Sequence, residues 1–211
     1  MQPAYSDKRI ILHKSHLIEP IIRHRIQDSI FYKQHLYLTN EATILPVITQ
    51  NIHYIAGTDS VGRPSPYLCC LLRLLELEPS EEILDIYIDQ LGYNEFKYLT
   101  AIIIHYMRLV FPSGYVYNKL DSYYEDFRKL RVKLKSPEFD SKKMPINFKL
   151  TYMDQWVDNL LSQERVVDII LPRMISRQLL IQKGEVQPRK YYVEAEESEA
   201  DEESDYQSDS D

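Results

Sequence analysis

Residues 96–110 read FKYLTAIIIHYMRLV. The run from Leu99 to Ile104 leaves no wet stripe at a 3.6-residue period, so it predicts a helix buried on most sides at the centre of a helical core. The neighbouring segments read as helices packed around it. Towards the N-terminus, Glu19-Pro20 opens a helix with proline in the first turn, and Ile18, Ile22, Ile26 and Ile30 recur at four-residue spacing along it. Thr39 or Asn40 can cap the next, whose stripe is Ile44, Ile48, Ile52 and Ile55. Pro46 lies inside that stripe and predicts a kink or a helix beginning near it, with Gly57 as its end. The polar segment 58–65 leads to Pro66 and a helix carrying Leu68, Leu71, Leu72 and Leu75. Ser80 then caps a helix with Glu81 and Glu82 in its first turn, ending at Gly92, and Asn94 opens the central one.

On the C-terminal side, Gly114 reads as a turn. Residues 118–135 read as a helix with Leu120, Tyr123, Tyr124, Phe127, Leu130 and Leu134 inward, and 136–150 as a loop. Met153, Trp156, Val157, Leu160, Leu161, Val167 and Leu171 predict a helix from 151 to Pro172, and a last short helix over 173–183 stops at Gly184. Nothing alternates for long enough to require a strand, and no segment repeats. The expected fold is all-α, a single compact domain of about seven to nine helices over 16–190. A flexible arm (1–15) precedes it and a disordered acidic tail (191–211) follows.

Composition supports a helical body. The chain has only five glycines, which suits neither tight hairpins nor glycine-rich phosphate loops. Residues 194–211 hold ten acids and no Lys or Arg, so the net charge of -7 belongs to the tail; without it, 25 basic residues face 22 acidic ones. Cys69 and Cys70 are adjacent and diverge on a helix, which disfavours a disulfide or a zinc pair and fits a reducing compartment. The N-terminus lacks the apolar core of a secretory signal. No run approaches the roughly 18 apolar residues of a membrane span, so a soluble intracellular protein is expected.

Few motifs point to chemistry. Gly57-Thr58-Asp59-Ser60-Val61-Gly62-Arg63-Pro64 outlines a phosphate loop, but Arg63 and Pro64 occupy the slots that need Lys and a hydroxyl. His13 and His16 lack the further ligands that zinc requires. Asp154 and Asp158 would share a helix face, and they read more simply as acids near a helix N-terminus. No catalytic residue, metal, cofactor or small-molecule substrate is therefore assigned.

One charged feature stands out. Arg128, Lys129, Arg131, Lys133, Lys135, Lys142, Lys143 and Lys149 crowd into 128–149 beside only two acids, Glu138 and Asp140. On the expected helix, Arg128, Arg131 and Lys135 form one stripe, which could follow an RNA backbone, receive an acidic partner or be a solvated face. In the tail, Ser198 and Ser208 each precede an acid by three residues and would suit an acid-directed kinase. A tail serving solubility is an equal reading.

Five stretches in order resemble the pre-mRNA-splicing factor 38 family over roughly 16–175. They are Leu17-Ile18-Glu19-Pro20-Ile21-Ile22, Pro64-Ser65-Pro66-Tyr67-Leu68-Cys69, Phe96-Lys97-Tyr98 with Tyr106-Met107-Arg108-Leu109, Asp126-Phe127-Arg128-Lys129-Leu130, and Glu164-Arg165-Val166-Val167-Asp168-Ile169-Ile170-Leu171-Pro172-Arg173, which Asp158-Asn159-Leu160-Leu161 precedes. The resemblance implies a nuclear, non-enzymatic helical scaffold of the spliceosome. Such proteins bind other splicing proteins at the tri-snRNP and precatalytic stage and are needed for activation rather than assembly. A basic helical protein contacting snRNA or pre-mRNA phosphates is the alternative. The resemblance does not extend to 136–150, and larger relatives end in an Arg/Ser-rich extension where this chain ends in acid. Within the last stretch, Glu164, Arg165, Asp168, Pro172 and Arg173 are expected to orient the chain or to meet a partner, with Arg165 and Asp168 a local pair one helical turn apart.

Overall fold

The central helix forms as the sequence predicts. In the computed structural model, which describes residues 13–189, α5 (Lys97–Val110) is buried at every position over 99–109. It packs against α2 (Glu41–Asn51), α4 (Glu81–Asp89), α6 (Ser113–Leu120) and α7 (Met153–Ser162), and against α3 (Pro66–Leu77), which in turn receives α1 (Pro20–Asp28). The Ala101 carbonyl ties three helices together. It accepts the Trp156 indole N–H at 3.2 Å from α7 and the Tyr67 hydroxyl at 3.3 Å from α3.

Some start signals hold, but Ser80 precedes α4 without a side-chain cap bond and the central helix opens at Lys97, not at Asn94, whose φ is +47°. Pro20 and Pro66 occupy first-turn positions, and the Ser65 side chain accepts from the Leu68 N–H. Asn40 caps α2 through a reciprocal box with Thr43. Asn40→Ala is expected to cost about 1 kcal/mol in a denaturant melt, the usual worth of such a cap, with no change in partner binding. Pro46 neither starts nor stops α2, which begins at Glu41 and runs through it. Gly114 lies within α6 and not in a turn. A short α8 (Arg177–Gln182) stops before Gly184, whose φ is +75°.

The all-α expectation needs correcting in two places. The helix expected over 118–135 ends at Leu120; a 3₁₀ turn follows (Asp121–Glu125), and then β1 (Lys129–Phe139) pairs antiparallel with β2 (Pro145–Tyr152). The expected loop over 136–150 is thus the far half of a hairpin. The second correction is the helix expected over 151–171, which breaks at Ser162. Beyond it, β3 (Arg165–Val166) and β4 (Ile169–Ile170) form a minimal hairpin whose two turn residues, Val167 and Asp168, both have positive φ (52° and 63°). Two left-handed residues are what a two-residue hairpin turn needs, although a β-branched side chain there is strained. The fold is mostly helical with two small antiparallel sheets. The tail and residues 1–12 lie outside the described residues.

Candidate functional site

Lys129-Leu130-Arg131-Val132-Lys133-Leu134-Lys135 alternates strictly, and period two sends its cations to one face of β1. Leu130 is fully buried on the other face, with its cross-strand partner Thr151. On the outer face, Arg131 stands opposite Leu150 and Lys133 opposite Phe148. The Arg131 guanidinium lies 5.7 Å from the Phe148 ring and the Lys133 ammonium 5.5 Å from the Tyr54 ring, while Tyr54 and Phe148 meet edge-on at 5.4 Å. The result is a row of cations interleaved with aromatic rings.

The predicted basic residues therefore divide. Lys129, Arg131, Lys133 and Lys135 share the outer face, though Lys135 also lies 3.6 Å from Asp168. Lys142 and Lys143 occupy the hairpin tip, where Asp140 accepts the Lys142 and Met144 N–H groups at 2.8 Å each. Arg128 does not join them. Its guanidinium is held by Asp126 at 2.6–2.9 Å and by the Asn94 carbonyl and side chain at 2.7–2.8 Å, so it anchors the hairpin base to the loop before α5. The stripe of Arg128, Arg131 and Lys135 does not exist, because no helix carries it.

Next to the hairpin, the segment 164–173 works as a junction. The Asp168 carboxylate accepts the Thr58 N–H at 2.7 Å and its hydroxyl at 2.8 Å. Burial alone would raise this carboxyl, yet the two Thr58 bonds and Lys135 outweigh it and hold it below the usual carboxylate range. Arg165 donates to the Asp168 carbonyl at 3.0 Å and to Glu19 at 3.2 Å, so it reaches the segment that opens α1. Arg165 and Asp168 thus pair through the backbone of a turn and not along a helix. Glu164, Pro172 and Arg173 line a cavity of about 590 Å³ together with the buried Arg108. The Glu164 carbonyl also accepts the Leu171 N–H at 2.9 Å.

The phosphate-loop outline resolves in the same way. Asp59 accepts the Val61 N–H at 3.0 Å and the Arg63 N–H at 2.8 Å, so the loop's amides serve its own turn and Asp168. Asp154 stands in the first turn of α7 and Asp158 accepts from Tyr124. Ser198 and Ser208 lie outside the described residues.

Stretches far apart in sequence thus converge, with 17–22, 57–65 and 164–173 joined through Glu19, Thr58, Arg165 and Asp168. That ordered set is what a family comparison reads. The PRP38 family matches residues 9–184.

The chain belongs to the PRP38 family.

It is 36% identical over 161 residues to Pre-mRNA-splicing factor 38 of Schizosaccharomyces pombe, covering 76% of this chain and 70% of that protein. Against Pre-mRNA-splicing factor 38A of Homo sapiens it is 32% identical over 176 residues, 82% of this chain and 52% of the human one. The chain spans 49% of the Drosophila melanogaster relative, so it matches about half the length of such animal proteins. A chain in the crystal structure of the Snu23–Prp38–MFAP1 complex of Chaetomium thermophilum superposes with a TM-score of 0.76 at 35% identity, covering 84% of this chain and 87% of that one. As a PRP38-family member the chain is related to pre-mRNA-splicing factors throughout the matched region, and two of the five resembling stretches, 17–22 and 164–173, turn out to hold each other.

Several site residues carry no signal of their own in the sequence. Tyr54 falls near the end of an expected helix and Phe148 within an expected loop. Glu19 and Thr58 gain their roles only from partners more than a hundred residues away. The alternation over 129–135 was the available signal for the hairpin. It was masked by apolar residues over 120–134 that also satisfy helical spacing.

Proposed function

We propose that this protein is a non-enzymatic interaction scaffold of the spliceosome, acting in the nucleus. It binds other splicing proteins at the tri-snRNP and precatalytic stage and is needed for activation rather than for assembly. The likeness to a chain solved together with Snu23 and MFAP1 carries this reading, since it extends over most of both chains at 35% identity. The counterparts of those two proteins are the first partners to test. Purified full chain should co-precipitate them at physiological salt, and splicing extract depleted of the chain should accumulate complexes halted before activation. Capture of neither counterpart, or normal activation after depletion, would overturn the proposal.

The alternation of Arg131 and Lys133 with Tyr54 and Phe148 favours a second reading, direct contact with snRNA or pre-mRNA. Cations follow phosphates while aromatic faces stack bases. This reading expects RNA affinity that falls steeply with salt and is lost when Arg131, Lys133 and Lys135 are reversed to Glu. RNA binding with no salt dependence, or none at low salt, sinks it.

A further inference from the structure

Resting on the scaffold reading, we propose that the free edge of β2 receives an extended segment of a partner protein, alternately apolar and acidic, as a third strand. Hydrogen bonding in the hairpin fixes which backbone groups are available. The Met153 N–H donates to the Arg128 carbonyl at 3.1 Å, and antiparallel pairs alternate between bonded and unbonded. Leu130 with Thr151 and Val132 with Lys149 are therefore the bonded pairs, whereas Arg131, Lys133, Phe148 and Leu150 aim their backbone groups outward.

On β1 that outward side is closed. The Ile55 N–H donates to the Arg131 carbonyl at 2.8 Å, the Lys133 N–H donates to the Ile55 carbonyl at 2.9 Å, and Lys97 covers the Lys129 carbonyl. On β2, the outward groups of Phe148 and Leu150 meet no partner among the described residues. An open edge of this kind is a ready template for another strand.

The side chains state what such a strand should carry. Ile146, Phe148 and Leu150 share the outer face at 41%, 38% and 52% exposure, an apolar row at strand spacing. Lys149 projects from the opposite face, and the cations of β1 and the hairpin tip flank the row. An added strand then places apolar residues beside Phe148 and Leu150 and acids beside Lys149. The chain's own tail fits less well. It alternates apolar and acidic residues only over 191–196, with Tyr191, Val193 and Ala195 against Glu194 and Glu196, and over 197–211 it offers only Ala200 and Tyr206 to cover the apolar row.

The test uses the full chain and a short synthetic peptide alternating valine and glutamate. Its comparators are a valine–lysine peptide, the chain's own 190–211 peptide and oligouridine. The valine–glutamate peptide should bind best and protect the Phe148 and Leu150 amides from hydrogen exchange, while the Lys149 amide, already bonded to β1, changes little. Leu150→Pro removes an outward N–H and leaves the bonds to β1, and should weaken binding about tenfold or more. Should that variant unfold, Lys149→Glu keeps the edge and its bonds to β1 and should still weaken the acidic peptide. Preference for oligouridine, the tail or the lysine peptide overturns the inference, as does protection elsewhere or binding indifferent to both variants. If the chain still captures its splicing partners when these arms fail, only the edge is rejected. If it captures none, the scaffold reading itself is rejected.

Discussion

Gly57→Ala is expected to destabilise the protein by about 2–4 kcal/mol, well beyond the cost of an ordinary loop substitution. A Cβ at this position would stand 2.9 Å from Asp168 Cγ and 3.2 Å from the Val167 carbonyl carbon, and nearer still to the carboxylate oxygen. The clash cannot be relieved by a rotamer change, because that oxygen is the acceptor for both Thr58 donors. Moving it would leave the Thr58 N–H without its partner and relax a turn whose Val167 and Asp168 are already left-handed. Asp168→Ala alone should cost about 1–3 kcal/mol by orphaning the same N–H. The two losses should not add. Truncating Asp168 removes the group that the new methyl strikes, so the double variant should be more stable than the sum of the singles by about 1 kcal/mol or more. Urea melts of the four proteins measure this coupling, and strict additivity would show that the close approach of Gly57 to Asp168 is not the constraint described.

That junction shows how far the sequence was legible. The central helix, the proline starts of α1 and α3, the Asn40 cap and the Ile44 and Ile48 half of the α2 stripe were readable, because propensity and burial agree over a few adjacent residues; α2 ends at Asn51, short of the expected Gly57, and leaves Ile52 and Ile55 beyond it. The expected helices fail over 121–135 and 163–171 for one reason: apolar residues there satisfy helical spacing while the chain is held out of helix by partners elsewhere. Leu130 is buried in either reading, and only Thr151 across the hairpin and Ile55 beside it select the strand. Val167-Asp168 carries no turn signature of its own, and its conformation depends on Thr58, about a hundred residues earlier. The basic character of 128–149 was plain in the sequence. Its division into an outer row and an anchored Arg128 was not, since Asn94 and Asp126 settle that in space.

Acid should weaken this fold through His105 before it reaches the carboxylates. The imidazole is fully buried on α5, its ring centroid 6.0 Å from that of Tyr67 and 5.6 Å from that of Trp156. Its Nδ1 lies 3.2 Å from the Tyr67 hydroxyl, which lies 3.3 Å from the Ala101 carbonyl, and its Nε2 has no hydrogen-bond partner among the described residues. Only a neutral ring with its proton on Nδ1 uses every donor: Nδ1–H donates to the hydroxyl, and the hydroxyl donates to Ala101. Protonation would put a second N–H into an apolar wall with nothing to accept it. Burial first, and the Arg108 charge one turn further on, push this histidine down to about 3 from its ordinary 6.5. The unfolded chain therefore takes the proton first, so the stabilisation is complete above about pH 6.5 and is lost as pH falls towards 3. The unfolding free energy should drop by close to 1.4 kcal/mol per pH unit between about pH 6 and 4.5, a window above the titration of most carboxylates. His105→Gln should cost stability at neutral pH and flatten that slope. Equal slopes for the two proteins across this window would sink the assignment, and with it the claim that a neutral Tyr67–His105 chain stitches α3 to α5.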